Sequence, residues 1–288
     1  HGTDMAPYLS LADQNRLVVT LPDTSTQMGI SAALGALDDK IESNRTLQAL
    51  AEALGSAVLE SVLEPDVYGF PEYAADHRLG DVISVLETGS RPRGGASVGC
   101  AGVVSLGAES VQSAGVTTTT SFKTVPHEYA ESMRRGRLED EDVLVYKDGG
   151  TPGNFTPHVS AFGHGFPVRA AVINEHVYRT RARAGVSQGL LYWVLRSPWM
   201  DQEMRKRGTG VAIPGLNSSN FRDLPWPRLS DEQVALLNAK LSPLLTSLLY
   251  LGTQNRTLAT LRDVLLPELL SGRIRVPEAE DAVAEVIA

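Results

Sequence analysis

Residues 44–54 read NRTLQALAEAL, and residues 255–265 read NRTLATLRDVL, so one pattern occurs near both ends of the chain. Steps of three and four residues between apolar side chains predict an amphipathic helix in each copy. Because internal repeats constrain architecture, the two copies predict an approximate two-fold relationship within the chain or with a partner. The apolar residues at matching offsets are Leu47, Leu50, Leu54 and Val58 in the first copy, and Leu258, Leu261, Leu265 and Leu269 in the second.

The similarity between the two ends begins before the helices. Segments that start at Gly2 and Gly208 both open with Gly-Thr and continue with an alanine, a proline and a leucine two residues after that proline. We therefore expect a short strand, a proline turn and a long helix at 2–63, and the same unit again at 208–272.

Heptad spacing predicts that the two helices pack as an antiparallel coiled coil. Continuing the three-four rhythm from Leu37 and Ile41 reaches Asn44, and continuing it from Leu251 reaches Asn255. A buried amide on such a seam penalises slipped registers, so both asparagines are predicted to fix the register; the alternative is that they lie exposed at its edge. The predicted register and interface residues are Leu37, Ile41, Asn44, Leu47, Leu54, Leu251, Asn255, Leu258 and Leu265.

Composition indicates a soluble globular protein of a reducing compartment, and we expect it to be cytoplasmic. The 288 residues include one cysteine, Cys100, which cannot form an internal disulfide. The start HGTDMAPYLS lacks a signal-peptide pattern, and the longest apolar stretch, LSPLLTSLLYL, is too short to span a bilayer. These features predict no membrane association.

Charge is distributed unevenly along the chain. The net charge of −8 argues against nucleic acid, but residues 66–228 carry 18 Lys/Arg against 17 Asp/Glu, and 169–207 carry eight against three. Such a basic region is either a solvated patch or the electrostatic footprint of a polyanion.

The middle segment, 66–228, predicts a mixed domain in which strand-like runs alternate with glycine-rich turns. Two of its loops, TGSRPRGG at 88–95 and YKDGGTPGNFTPH at 146–158, combine small residues with cations and an asparagine. Such side chains can bind phosphates and read base edges, although neither loop has a phosphate-loop signature. The candidate DNA-binding residues are Ser90, Arg91, Arg93, Lys147, Thr151, Asn154, Arg181, Arg183, Lys206 and Arg207.

Signals for catalysis are weak throughout the chain. The six histidines are scattered, no Cys/His/Asp cluster has metal-ligand spacing, and no Gly-x-Ser-x-Gly motif occurs. We therefore expect neither catalytic residues nor a metal, although an enzyme with an unrecognised site stays an open alternative.

Five stretches, in order along the chain, resemble the specificity subunits of type I restriction–modification systems. ALGALDDKIESNRTLQAL (33–50) and QNRTLATLRDVLLPELLSGRIRV (254–276) are similar to that family's spacer helices. RLGDVISVLETGSRP (78–92) and EDVLVYKDGGTPG (141–153) resemble the opening and the central strand of a target recognition domain. GTGVAIPGLNSSNFRDLPWPRLSDEQ (208–233) resembles the exit from that domain into the second helix.

The resemblance implies an α+β fold in which a strand-rich target recognition domain is flanked by two long helices. It implies a non-catalytic subunit that reads half of a bipartite site in double-stranded DNA. The implied partners are methyltransferase (M) subunits, which bind S-adenosylmethionine, and a restriction (R) subunit, which uses ATP; no cofactor is expected in this chain. The associated biology is DNA methylation and phage defence.

The expected organisation is a tail of a preceding recognition domain at 1–27, helices at 28–64 and 230–276, a recognition domain at 65–229 and an acidic tail at 277–288. With one complete recognition domain, the chain is either a fragment of a two-domain subunit or a half-subunit that forms a homodimer and favours a symmetric site. The alternative function is a coiled-coil structural adaptor without DNA readout.

Overall fold

A computed structural model describes residues 10–18, 21–63, 71, 73–116, 122–151, 154–163, 166, 168–208 and 214–287. Much of the two predicted Gly-Thr segments therefore lies outside the described residues. The chain divides into two compact units, one of residues 1–40 with 258–288 and the other of residues 41–257.

Nine α-helices are present in these described ranges, and two of them are far longer than the rest. They are α1 (Leu11–Gln14), α2 (Thr24–Val62), α3 (Leu79–Val82), α4 (His127–Ser132), α5 (Gln188–Arg196), α6 (Pro198–Arg207), α7 (Ser218–Arg222), α8 (Asp231–Leu270) and α9 (Val276–Ile287).

The strands of the described residues all lie in the unit of residues 41–257. They are β1 (Tyr73–Arg78), β2 (Ile83–Thr88), β3 (Ser97–Val98), β4 (Val103–Leu106), β5 (Lys123–Val125), β6 (Asp142–Tyr146), β7 (Gly150–Thr151), β8 (Asn154–Phe155), β9 (His158–Phe162), β10 (Ala171–Ile173), β11 (Val177–Ala182) and β12 (Pro225–Pro227). They form four-stranded sheets in the orders β2-β11-β6-β9 and β10-β4-β5-β3, and two-stranded pairs β1-β12 and β7-β8. The predicted α+β fold class is confirmed.

The central sheet β2-β11-β6-β9 is covered on both faces, which explains the continuous apolar run of β6. Val143 and Val145 of that strand join the main core, while Leu144 between them joins a second core on the opposite face. Helix α5 packs on the main-core side and is buried from Gln188 to Leu195, as its almost entirely apolar sequence requires.

In the unit of residues 41–257, α2 and α8 pack antiparallel and are joined by side-chain amides. Asn44 Nδ2 donates to Gln254 Oε1 at 2.7 Å, and Asn255 Nδ2 donates to Gln48 Oε1 at 3.3 Å. Asn44 is buried and Asn255 is half-buried, so the structure favours the seam position over an exposed edge. Their predicted role in register stays a prediction.

The unit of residues 1–40 and 258–288 also contains an antiparallel pairing of α2 with α8. Arg262 Nη1 donates to Asp38 Oδ1 at 2.7 Å, and Leu37, Leu258 and Leu265 are buried. In the other unit, Ile41 is buried as well.

Contrary to the predicted helix seam, Leu47 and Leu54 are not buried between α2 and α8: they are 48% and 53% exposed, and Leu251 lies half-buried at the edge. Instead the buried face of α2 passes through Gln48 and Gly55. The reason is tertiary: the loop at Gly115 and the Trp193 indole approach α2 so closely that an amide and a glycine, rather than leucines, occupy this face.

The helix bounds differ from the predicted ones at three places. Helix α2 begins at Thr24 rather than residue 28, because Asp23 accepts hydrogen bonds from Thr26 N and Ser25 Oγ and caps the helix. Helix α8 ends at Leu270 rather than residue 276, and Gly272 there has a φ of +72°. The predicted acidic tail forms α9, whose Ala279 and Val283 are buried.

By length and composition, α8 is apolar enough to cross a membrane, contrary to the expectation from the sequence that no stretch is long enough. Leu237, Leu241, Leu245 and Leu248 of that helix are fully buried in the protein core, while 28% of its apolar window is buried.

Candidate nucleic-acid interface

Three loops lie at the same end of the strands of the central sheet. Strand β2 ends at Thr88, opposite Tyr178 near the start of β11, and Val177 of β11 lies opposite Tyr146 at the end of β6. Tyr146 in turn pairs with His158, the first residue of β9. Because paired strand ends are neighbours, the segments that follow or precede them converge. We call residues 88–95, 147–151, 154–155 and 174–176 the loop rim.

Charged side chains connect the two loops that the sequence singles out. Arg91 Nε donates to Glu175 Oε2 at 2.9 Å, and its Nη2 lies 3.2 Å from His176 Nε2. The other ring nitrogen, His176 Nδ1, lies 2.7 Å from Asp148 Oδ1, and Lys147 Nζ donates to Asp148 Oδ2 at 2.8 Å. The structure therefore brings Arg91 and Lys147 together through one short turn between β10 and β11.

The ion pair on Arg91 changes the pKa of both partners. The hydrogen bond that Arg91 donates to Glu175 raises the pKa of Arg91. Burial raises the pKa of Glu175, but the hydrogen bonds it accepts and the nearby positive charge of Arg91 together outweigh burial, so that pKa lies below its usual value. Both groups are charged near neutral pH, and a phosphate must compete with Glu175 for the guanidinium.

The hairpin β7-β8 forms the opposite side of the rim. It contains Thr151 and the exposed Asn154, and Arg205 at the end of α6 donates from Nη1 to the Phe155 carbonyl at 2.8 Å. The predicted Lys206 and Arg207 follow on α6. Both bind Glu203, with Lys206 Nζ 2.8 Å from Glu203 Oε1.

Loop 88–95 is supported from the side by α4 and the turn after it. Ser90 Oγ lies 2.7 Å from the Tyr129 hydroxyl oxygen, and Gly136 N donates to Glu87 Oε2 at 3.0 Å. Arg93 is exposed in this loop. The turn at 133–137 reads MRRGR, a basic cluster that the sequence analysis did not select although its composition was a usable signal.

Two predicted residues, Arg181 and Arg183, do not lie on the rim. Strand β11 runs from Val177 at the rim to Ala182, so both arginines lie at or just beyond its far end, about 13 to 20 Å away. Arg181 Nη1 donates to Asp142 Oδ1 at 2.8 Å, and Arg183 Nε donates to the Ile83 carbonyl at 3.2 Å. These contacts give both side chains structural roles.

Beside Arg181 lies a buried ion cluster. Arg179 Nε donates to Asp142 Oδ2 at 2.6 Å, and its other nitrogens reach Glu87 and Glu139. Burial raises the pKa of Asp142 more than its hydrogen bonds and Arg179 lower it. Because every charge in the cluster has a partner, the cluster offers no free site, and removing one partner would leave a buried charge unpaired.

A second surface feature is an apolar groove between α2 and α8, within the unit of residues 41–257. It has a volume of about 600 Å³, and Leu50 and Tyr250 on its sides are 60% and 58% exposed. We call it the helix groove; its lining residues are Leu47, Leu50, Ala51, Leu54, Leu244, Thr246, Ser247, Tyr250 and Leu251.

Among the described residues, no group of three or more His, Cys, Asp or Glu side chains could hold a metal ion. The arrangement at the rim is suited to binding: it presents guanidinium, ammonium and amide groups on loops held by a two-sided, buried sheet.

No family model and no curated protein matches the chain. Solved structures do match it. The type I restriction–modification S subunit from M. genitalium is 14% identical over 86% of this chain and 61% of its own, with a TM-score of 0.53.

Two further structures are similar. One is the HsdS subunit from Thermoanaerobacter tengcongensis, which is 19% identical over 95% of this chain and 65% of its own, with a TM-score of 0.39. The other is a structure that describes complex assembly and conformational transition of the type I R-M system; it is 18% identical over 93% of this chain and 65% of its own, with a TM-score of 0.40. The chain thus spans 61–65% of the length of the structures it matches. The agreement with the M. genitalium protein shows that this chain has the fold of a type I restriction–modification S subunit.

Proposed function

We propose that the chain is a sequence-specific DNA-recognition subunit of a type I restriction–modification complex. One observation carries the proposal: separate loops of an S-subunit fold bring Arg91, Arg93, Lys147 and Asn154 to the same end of the central sheet. A guanidinium reads guanine and an amide reads adenine in the major groove, while a lysine ammonium contacts phosphate. The chain itself performs no reaction in this proposal.

The net charge of −8 does not oppose DNA binding in this account. The acidic excess lies outside residues 66–228, so the segment that contains the rim is close to neutral overall and locally basic. Partner subunits can supply further neutralisation of the phosphates, which reduces the charge that this chain must carry.

The proposed partners are methyltransferase subunits, which carry S-adenosylmethionine, and a restriction subunit, which uses ATP. We propose that a methyltransferase subunit covers the helix groove. The equivalents of Leu47 and Leu54 in the second NRTL repeat, Leu258 and Leu265, are buried, whereas the first pair is exposed. An exposed leucine stripe of this kind is typical of a surface that is covered in an assembly. Such a complex acts on DNA in the cytoplasm.

One recognition domain reads one half of a bipartite site. The proposal therefore includes a second reading head, supplied by a second copy of this chain or by a further domain of the same subunit. A homodimer predicts a symmetric target, because two-fold related domains read the same half-site on opposite strands.

The function is tested by exchanging rim residues in the full chain assembled with a methyltransferase subunit. Arg93→Gln and Asn154→Ala should each change the preferred base at one position, since a bidentate contact discriminates by about 1 to 3 kcal/mol. Arg45→Gln, on α2, is the control and should leave the preferred sequence unchanged. Retention of all sequences equally by the unmodified complex would instead support a structural adaptor without DNA readout.

A further inference from the structure

The turn at 133–137 is held firmly against loop 88–95. Gly136 has a φ of +77°, and a Cβ at this position would lie 2.7 Å from Gly89 Cα. The Gly136 carbonyl accepts a hydrogen bond of 2.8 Å from Ile173 N, while its amide donates to Glu87. Only glycine fits this contact, so the turn keeps a fixed position beside the rim.

The same turn presents three exposed arginines, Arg134, Arg135 and Arg137. In the part of the chain that the structure describes, their side chains make no hydrogen bond or ion pair. The exposed acids of the preceding helix α4 are Glu128 and Glu131, so residues 127–137 carry a net charge of +1.

Three of the cations selected from the sequence differ in this respect. Arg91 binds Glu175, Lys147 binds Asp148, and Arg207 binds Glu203. A phosphate that approaches one of these cations must displace a carboxylate, which offsets part of the gain from binding. An unpaired, exposed arginine exchanges only water and counterions, so it gains more from a phosphate contact.

We propose that Arg134, Arg135 and Arg137 bind the phosphate backbone of the duplex whose bases the loop rim reads. The proposal rests on the proposed function and adds a separate surface to it: the turn positions the duplex without reading sequence. Because Gly136 fixes the turn against Gly89, phosphates held there place the adjacent bases at loop 88–95.

The test is the salt dependence of DNA binding by the full chain with the triple substitution Arg134→Gln, Arg135→Gln, Arg137→Gln. Binding is measured for a preferred duplex and for an unrelated one between about 50 and 200 mM salt. Loss of three phosphate contacts should reduce the slope of log K against log salt by about 2 to 3. Affinity should fall by the same factor for both duplexes, since no base contact is lost.

Two further variants make the result specific. The triple lysine variant Arg134→Lys, Arg135→Lys, Arg137→Lys keeps the charge and should retain most of the slope. The triple variant Arg45→Gln, Arg273→Gln, Arg275→Gln makes the same change in net charge at exposed positions elsewhere and should bind as the unmodified chain does. Thermal melting checks that each variant is folded.

The outcomes separate this inference from the proposed function. An unchanged slope and affinity in the glutamine variant, with sequence preference intact in the unmodified chain, would overturn the inference alone. An equal loss of salt slope and affinity in the Arg45 triple variant would overturn the inference too, because the effect would then depend only on net charge. Absence of any sequence preference in the unmodified chain would overturn the proposed function instead.

Discussion

At the scale of single residues, the buried ion cluster is the feature most sensitive to substitution. Asp142 is fully buried and accepts hydrogen bonds from Arg179, Arg181 and the Glu139 amide. Asp142→Ala leaves the buried Arg179 guanidinium without its closest partner, so we expect a loss of about 3 kcal/mol in the free energy of unfolding. Urea denaturation measures it, with the exposed Glu128→Ala as control; equal midpoints for the two variants would contradict the account.

Glu203 makes stability depend on pH. Burial raises its pKa, but the hydrogen bonds and the positive charges of Lys206 and Arg207 together outweigh burial, so the folded-state pKa lies below the usual 4.5. A lowered carboxyl pKa contributes stability above the unfolded value, and this contribution is lost as pH falls through the folded value. Glu203→Gln should therefore be less stable than the unmodified chain at about pH 7. This difference in stability should shrink as the pH falls through the folded-state pKa of Glu203. A difference in urea midpoint that grows on acidification would contradict this.

Sequence reasoning at this scale identified which side chains are cationic but not which of them are paired. Arg181 looked available because it lies in a basic stretch, yet its partner Asp142 comes from another strand, β6. The arginines at 133–137 were missed because the sequence does not show that they lie beside loop 88–95 without an acidic partner. Because the partner of Arg181 lies 39 residues away in sequence, composition alone could not predict that pair.

At the scale of elements, the contact between α2 and α5 sets the buried face of α2. A Cβ on Gly55 would overlap the Trp193 indole, and Glu52 accepts from the Tyr192 hydroxyl at 2.6 Å. Gly55→Ala should therefore destabilise the protein by about 1 to 3 kcal/mol. Gly35→Ala in the same helix is the matched control: nothing lies within 4 Å of its Cβ, and alanine should stabilise the helix by about 0.5 to 1 kcal/mol. Stabilisation by both substitutions in urea denaturation would refute the close contact.

The helix groove predicts a second result at this scale. Leu50→Glu places a charge in the groove and should weaken assembly with a methyltransferase subunit by tenfold or more, while the chain stays folded because Leu50 is exposed. Val264→Glu, on a similarly exposed position of α8 outside the groove, should assemble normally. Light scattering of each mixture gives the assembled fraction, and normal assembly of the Leu50 variant would exclude the groove as the docking surface.

The periodicity of the repeats predicted both long helices and their antiparallel pairing, because apolar spacing is a local property of the chain. It did not predict which apolar face is buried. Leu47 and Leu258 occupy the same place in the repeat, yet one is exposed and the other is buried. What differs between them is tertiary packing, which local spacing does not encode.

At the scale of the whole molecule, the order of helix, strand-rich domain and helix is the property that the sequence predicted best. The two NRTL stretches lie in α2 and α8. The run 78–92 contains α3 and β2, and the run 141–153 contains β6. The sequence could not predict that the loops after β2 and β6 meet at a common rim, since this depends on the strand order β2-β11-β6.

The measurement that tests the central claim most directly is selection of duplexes from a random library by the full chain assembled with a methyltransferase subunit, with the stoichiometry determined by light scattering. The account predicts retention of a two-part motif by a complex with two reading heads; if these are two copies of this chain, the two parts are symmetric. Stable assembly that retains all sequences equally would contradict the claim that the loop rim reads DNA.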